Sequence, residues 1–152
     1  MNTSSNSSVV PSTLIVDDNE ADAVWTKRTL ERSGRYGEIF VEESGSDAIA
    51  RFREYEARRQ KEPARCPPML VLLDINMPGM NGYDVLKALR ASPHRADSPA
   101  LPHHIFMLSS SDDDFDKLLS RSFEMVGGYL VKPLSPSQAA DLADRFGTPT
   151  HE

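Results

Sequence analysis

The sequence predicts an α/β fold in which helices cover both faces of a five-stranded parallel sheet. Short apolar runs alternate five times with longer segments of helical periodicity along the chain. The middle runs are continuously apolar, as expected for parallel strands that are buried on both faces. The length of 152 residues suits one domain, and a hydrophobic content of 39% is enough to build its core.

The strands are placed by apolar runs that stop at a polar residue or at a turn. Three of these runs end at residues that a buried strand does not need, namely Asp17, Asp74 and Lys132. The predicted strands are residues 13–17, 38–42, 69–74, 104–108 and 129–131. Because helical segments separate them, the strands are expected to run parallel in a doubly wound sandwich of three layers.

The first two helices are predicted over residues 19–33 and 46–60. The expected inner face of the first consists of Ala21, Val24, Trp25 and Leu30. Ser46 is the expected N-cap of the second, with Ile49 and Phe52 facing the core. The basic residues of the second helix are expected to form a solvated face: Arg51, Arg53, Arg58, Arg59 and Lys61.

The last three helices are predicted over residues 83–91, 112–123 and 135–146. The acids at residues 112–114 favour capping and helix-dipole roles over a second metal cluster, and Pro136 suits a first helical turn. The segment 92–103 contains three prolines and is predicted to be a loop. The histidines in or beside this loop are expected to be solvated: His94, His103 and His104.

Composition and the chain ends exclude several classes of function. A net charge of −6 disfavours a nucleic-acid partner, and the sequence has no apolar run long enough to cross a bilayer. We expect a disordered lead at residues 1–12, a folded domain at 13–146 and a tail at 147–152. The lead lacks the apolar core of a signal peptide, so a cytoplasmic location is expected. The single cysteine, Cys66, excludes an intrachain disulfide.

The polar strand ends predict a shared acidic pocket. In the flavodoxin-like strand order 2-1-3-4-5, the first and third strands are neighbours whose carboxyl ends meet at one edge. Asp17 and Asp18 would then lie close to Asp74, and like charges at that distance require a cation. Mg²⁺ is the expected ion, because it prefers oxygen ligands and needs only one or two carboxylates besides water and phosphate.

Each aspartate alone has a simpler interpretation. Asp17 and Asp18 could cap the first helix and Asp74 could be a turn residue, which is the commoner role for a single strand-end aspartate. Their coincidence with Lys132 favours a site. Carboxylates here also argue against a nucleotide site, which needs glycine or hydroxyl residues whose N–H groups face the phosphate.

Several separated blocks of the sequence match one family in the correct order. They are Asp17-Asp18, residues 72–82, Leu108-Ser109 and residues 128–133. Over residues 13–146 the chain therefore resembles the receiver domain of two-component response regulators, specifically stand-alone, chemotaxis-regulator-like members. Within that family, residues 18–22 resemble the single-domain regulators that partner phytochrome-type or other hybrid sensor kinases.

The resemblance implies a phosphorelay switch that requires Mg²⁺. Asp74 would accept a phosphoryl group from a phosphohistidine on a histidine kinase or phosphotransfer protein. Asp18 would bind Mg²⁺ directly, Asp17 would act through a water, and Asp74 and the backbone carbonyl of Asn76 would complete the protein ligands. The protein would catalyse its own phosphorylation and dephosphorylation and would not be an enzyme otherwise.

The resemblance also implies how the signal leaves the site. Lys132 and the Ser109 hydroxyl would hold phosphoryl oxygens, and Ser109 and Tyr129 would switch the face formed by the fourth helix, fifth strand and fifth helix. We expect a downstream protein target, with no attached output domain, nucleic acid or membrane involved. Some members of the phytochrome-associated group dimerise, so a homodimer is also consistent with the resemblance.

Three finer expectations come with the resemblance. Gly79 and Gly82 fit a loop that passes near the acceptor, although an ordinary turn role explains either glycine as well. The resemblance suggests a cis Lys132–Pro133 bond, whereas the sequence alone gives only the base rate of roughly 5% for such bonds. The residues two places after the acceptor and after the conserved hydroxyl, Asn76 and Ser111, are small and polar. Self-dephosphorylation is therefore expected to be moderate rather than very slow.

Two other classes of function remain. A phosphohydrolase of the haloacid dehalogenase type also uses an aspartate nucleophile and Mg²⁺, but it normally has a second acid where Asn76 stands here. Such an enzyme would turn over a generic phosphate ester. A pseudo-receiver would signal by binding alone, but such proteins typically lose the acidic residues that this chain keeps.

Overall fold

The computed structural model describes residues 8–91 and 103–149 of the chain. Its elements are β1 (Val10–Val16), α1 (Glu20–Ser33), β2 (Tyr36–Glu42), α2 (Gly45–Lys61), β3 (Leu70–Leu73), α3 (Gly82–Arg90), β4 (His104–Ser109), α4 (Asp114–Arg121), β5 (Val126–Val131) and α5 (Pro136–Phe146). All strand pairs are parallel, in the order β2-β1-β3-β4-β5. The predicted fold class and strand order are confirmed.

Two apolar layers lie on opposite faces of the sheet. Every residue of β3 is buried; Val71 and Leu73 pack towards α2 and α3, whereas Leu70 and Leu72 pack towards α1 and α5. This alternation is the period of two that a strand imposes on its side chains. None of the described helices has the length and apolarity needed to cross a membrane.

The sheet is longer than predicted at both chain ends. β1 begins at Val10, because the Val10 N–H donates to the Arg35 carbonyl, and Val9 and Thr148 exchange two backbone hydrogen bonds. The structured chain therefore includes residues that the sequence placed in the lead and the tail. β5 begins at Val126, and within it Gly128 lies so close to the Phe106 ring that an added Cβ would overlap it.

The predicted inner face of α1 is wrong except at Leu30. The buried residues are Ala23, Thr26, Thr29 and Leu30. Trp25 is 54% exposed and donates from Nε1 to the Leu134 carbonyl at 3.3 Å, while Thr29 donates to the Trp25 carbonyl. Because threonine can satisfy its hydroxyl within its own helix, it lines an inner face that an apolar pattern does not reveal.

The start and the basic face of α2 also differ from prediction. Ser44, not Ser46, is the N-cap and accepts from the Asp47 N–H, although Ile49 and Phe52 are buried as expected. Two of the basic side chains are engaged rather than solvated. Arg51 pairs with Glu42 and Arg59 donates to the Cys66 carbonyl, a residue that is itself buried.

The remaining helices are largely as predicted. The apolar residues of α3 are buried, and α5 starts with Pro136 behind a capping box of Ser135 and Gln138. α4 is shorter than expected, and Asp113 is its N-cap, which confirms the capping role of the acidic run.

His103 is buried, contrary to the expectation that it would be solvated. Its Nδ1 accepts from the Met69 N–H at 2.8 Å, and its Nε2 lies 2.6 Å from a Glu56 carboxylate oxygen on α2. The ring thus joins α2 to the starts of β3 and β4. His104 is exposed and packs against the Phe146 ring, whereas His94 and most of the predicted proline-rich loop lie outside the described residues.

Candidate functional site

The sheet hydrogen bonds continue past the strand ends into the predicted site residues. The Asp17 N–H donates to Glu42, the Asp74 N–H to Val16, and the Lys132 N–H to Ser109, at 3.0, 2.9 and 2.8 Å respectively. Backbone ladders therefore fix all three positions at one edge of the sheet. This is the convergence that the polar strand ends predicted.

The three aspartates form one cluster at that edge. Oxygens of Asp17, Asp18 and Asp74 lie within 4.8 Å of one another. Asp17 is 2% and Asp74 5% exposed, whereas Asp18 faces solvent. Two buried carboxylates this close repel each other unless a cation lies between or beside them.

Lys132 supplies such a cation, and a third carboxylate shares it. The Lys132 Nζ lies 2.7 Å from Asp17 Oδ2, 3.3 Å from Asp74 Oδ2 and 3.0 Å from Asp22 Oδ2. Sequence reasoning assigned no role to Asp22. The spacing gave no signal for it, because Asp18 precedes α1 and has no fixed helical relation to Asp22.

The surroundings of Asp74 and Lys132 shift the pKa values of both side chains. Burial raises the pKa of Asp74 to about 6, with Lys132 opposing the rise and Asp17 adding to it. Burial lowers the pKa of Lys132, but hydrogen bonds to Asp17 and Asp22 outweigh it, so the net shift is upwards. Lys132 is therefore charged at neutral pH, beside a carboxylate that is mostly ionised.

The aspartate cluster fits a hard divalent cation. Its donors are all carboxylate oxygens, as Mg²⁺ prefers, and the exposed Asp18 offers a route from solvent. Asp17 Oδ1 is already engaged by the Asn19 N–H at 2.9 Å, which suits a contact through water better than direct ligation. The Asn76 backbone hydrogen-bonds to Asp74, so this residue lies beside the cluster.

The loop that follows Asp74 contains two glycines with distinct backbone roles. Gly82 starts α3 so close to the Asp74 carbonyl that a Cβ would overlap it and would lie 3.0 Å from Ile75 Cα. Gly79 has a φ of +75°, which favours glycine over other residues. Gly82 thus lies beside Asp74, whereas Gly79 meets the backbone requirement of a turn. The Lys132–Pro133 bond is cis, the isomer that the family resemblance suggested and the sequence alone left open.

Ser109 and Tyr129 are linked through the loop after β4. Ser109 is buried and its Oγ accepts from the Ser111 N–H at 3.1 Å, while the Tyr129 hydroxyl donates to the Ser111 carbonyl at 2.8 Å. The Ser111 hydroxyl donates to Asp116 on α4 at 2.8 Å. A displacement of Ser109 would therefore reach both the aromatic side chain and α4.

Comparison with known families identifies one match. The family model described as the response regulator receiver domain matches residues 13–144 of this chain. This range contains every residue of the pocket and of the linked loop.

Individual relatives and solved structures agree with that match. The probable methanogenesis regulatory protein FilR2 of Methanothrix harundinacea is 34% identical over 122 residues, which are 80% of this chain and 72% of the relative. A two-component response regulator of Cytophaga hutchinsonii superposes with a TM-score of 0.74 at 26% identity, covering 91% of this chain and 97% of the other. The bacteriophytochrome response regulator RtBRR does so with a TM-score of 0.64 at 32% identity, covering 92% and 80%.

Proposed function

The chain belongs to the response regulator receiver domain family, and from that premise we propose that it is a phosphorylation switch in a two-component system. Asp74 accepts a phosphoryl group from a phosphohistidine of a histidine kinase or a phosphotransfer protein. The single observation that carries the proposal is the position of Asp74, which is buried beside the Lys132 ammonium group and within the aspartate cluster.

The proposed phosphoryl transfer requires the protein mainly to position the reacting groups and to stabilise negative charge. A carboxylate oxygen of Asp74 forms a bond to phosphorus as the bond from phosphorus to the donor imidazole nitrogen breaks. The transferring group spreads negative charge over its equatorial oxygens, so catalysis consists mainly of positioning and electrostatic stabilisation. The product is an aspartyl phosphate, a covalent species that carboxylate nucleophiles form.

The residues that would hold Mg²⁺ are Asp18, Asp74 and the carbonyl of Asn76, with Asp17 acting through a water. The ion supplies charge neutralisation at the phosphoryl oxygens when it is bound. Lys132 already lies within hydrogen-bond distance of Asp74 and would transfer that contact to a phosphoryl oxygen. Ser109 offers its hydroxyl to another oxygen.

The loop after β4 would carry the change outward. When Ser109 turns to the phosphoryl group, it leaves the Ser111 N–H, and the bond between Ser111 and Tyr129 must adjust. The affected surface consists of α4, β5 and α5. Phe115 and Leu118 of α4 are 66% and 65% exposed, which suits contact with a protein target.

The partner is proposed to be a histidine kinase of the phytochrome type or a hybrid sensor. The likeness to the bacteriophytochrome response regulator RtBRR and the segment from Asp18 to Asp22 support this class.

A labelling experiment tests the proposal. The full chain is incubated with a small phosphodonor such as acetyl phosphate, with Mg²⁺ or with a chelator, and its intact mass is measured. We expect one added phosphoryl group in the wild type and in Asp141→Ala, an exposed acid of α5, and none in Asp74→Ala. Equal labelling of the wild type and Asp74→Ala, or labelling of neither, would contradict the assignment.

A further inference from the structure

The three carboxylates around Lys132 do not all belong to the proposed reaction. Asp74 is the acceptor and Asp17 borders the metal, but Asp22 lies outside both roles at 3.0 Å from Lys132 Nζ. We propose that Asp22 is a positioning residue that competes with the phosphoryl group for Lys132. This inference rests on the proposed function and deepens it, because it assigns a regulator of how tightly the phosphorylated state is held.

The donor capacity of Lys132 is fully used in the structure. An ammonium group has three N–H donors and no acceptor, and here three carboxylates surround it. The acceptor has the longest of the three contacts, at 3.3 Å. The contact that Asp74 now accepts would pass to a phosphoryl oxygen, and it can shorten only if the hold of Asp17 or Asp22 on Lys132 weakens.

Asp22 contributes to this competition without being needed for the fold. Its side chain is 44% exposed, and within residues 8–91 and 103–149 its polar side-chain partner is Lys132. The helix start is secured separately, since the Asp22 N–H donates to the Asn19 side chain. Neutralising Asp22 should therefore alter the charge balance of the site and leave α1 in place.

Asp22 contacts Lys132 from the more exposed side of the pocket, since its side chain is 44% exposed against 11% for Lys132. A cavity of about 420 Å³ lies between α1 and the end of β5, and Asp22, Trp25, Ser110 and Lys132 are among its lining residues. The Asp22 carboxylate thus contacts the ammonium from the side that faces this cavity. Its negative charge also lies near Asp74, where conversion of the carboxylate into an aspartyl phosphate would add about one further negative charge.

These charges determine whether replacing Asp22 strengthens or weakens the binding of a phosphoryl group. Replacing Asp22 by asparagine keeps the shape of the side chain but removes its charge, so Lys132 turns fully to the acceptor and the phosphoryl oxygens. An ion pair with a partly exposed partner, such as Asp22 with Lys132, contributes little free energy. Its loss should change the binding constant of a phosphoryl mimic by roughly two- to fivefold. We expect tighter binding of a phosphoryl mimic by that factor.

The test compares charge variants of the full-length chain. The probe is beryllofluoride, a phosphoryl mimic, added with Mg²⁺, and its affinity is measured by calorimetry. Asp22→Asn should bind it roughly two- to fivefold more tightly than the wild type. Asp22→Glu, which keeps the charge, should stay near the wild type. Glu20→Gln is the matched control, because it removes an exposed acid from the same helical turn.

A second readout reports the positioning itself. In the free protein, the NMR signal of the Lys132 ammonium group should shift in Asp22→Asn and not in Glu20→Gln. Unchanged or weaker beryllofluoride binding by Asp22→Asn, or an equal gain in Glu20→Gln, would overturn the inference. If the wild type binds no better than Asp74→Ala, the proposed function itself fails. If the wild type binds and Asp22→Asn matches it, only the role of Asp22 fails.

Discussion

At the scale of single residues, the site is a balance of charges around Lys132. The ammonium group lies between Asp17 and Asp74, which are almost fully buried, and offsets their mutual repulsion. A buried carboxylate that loses its partner keeps its desolvation cost without the compensating attraction. Lys132 therefore stabilises the resting protein.

Removing the Lys132 ammonium group should reveal the desolvation cost of the two buried carboxylates. We expect Lys132→Met to lower the free energy of unfolding by roughly 1–3 kcal/mol without metal, because Asp17 and Asp74 lose their cation. Millimolar Mg²⁺ should restore part of the loss, since a ligand that binds only the folded state stabilises it. The measurement is urea unfolding with and without Mg²⁺, with Lys61→Met, an exposed residue, as the control. A loss that Mg²⁺ leaves unchanged would argue against a metal site here.

At the scale of elements, two connections hold the site edge and the opposite edge of the sheet. Gly82 lets α3 begin against the acceptor, while the contact between His103 and Glu56 joins α2 to β3 and β4 at the far end. We expect the first connection to affect phosphoryl acceptance and the second to affect stability.

Gly82→Ala should disturb both the fold and phosphoryl acceptance. The added Cβ overlaps the Asp74 carbonyl, so the backbone of the acceptor must move, at a cost of roughly 1–3 kcal/mol. Gly79→Ala serves as the comparison, because its cost comes from the positive φ and no atom lies within 4 Å of the new Cβ. Thermal unfolding and labelling by a phosphodonor measure the two effects. Equal labelling rates in the two variants would contradict the placement of Gly82.

The link between Glu56 and His103 should give a pH-dependent stability. The hydrogen bond with His103 lowers the pKa of Glu56 from its ordinary value of 4.5, with burial opposing and Arg59 assisting. A carboxylate whose pKa is lower in the folded state stabilises the fold above its unfolded pKa, and this contribution disappears as the pH falls through the folded value.

Glu56→Gln should therefore lower the free energy of unfolding near pH 7, and its difference from the wild type should shrink below pH 4.5. Unfolding by urea across this pH range measures the difference. Glu54→Gln is the control, because Glu54 is exposed on the same helix. A difference that stays constant with pH would show that the charge of Glu56 does not stabilise the fold.

At the scale of the whole molecule, the strand positions and the convergence of their ends could be predicted from the sequence, because burial and strand geometry determine both. Continuous apolar runs place the strands, and parallel order then brings Asp17, Asp74 and Lys132 to one edge. The inner face of α1 was missed because Thr26 and Thr29 pack inward, and polar residues do not mark a buried face. His103 was missed because a neighbouring proline-rich segment suggested solvent.

The role of Asp22 lay beyond sequence reasoning for a different reason. Its partner is 110 residues away, and the contact depends on the reach of the Lys132 side chain from the end of β5 to α1. Strand ends can be aligned from topology alone. The direction in which a long flexible side chain turns is decided by packing and by all the charges it meets.

The measurement that tests the central claim most directly is chemical mapping of the phosphorylated residue. The protein is phosphorylated by a small donor with Mg²⁺ and treated with borohydride, which reduces an acyl phosphate to an alcohol, and the peptides are sequenced by mass spectrometry. We expect homoserine at position 74 and an unmodified aspartate at positions 17, 18 and 22. Phosphate incorporation with the reduced residue elsewhere, or with no acyl phosphate at all, would contradict the account.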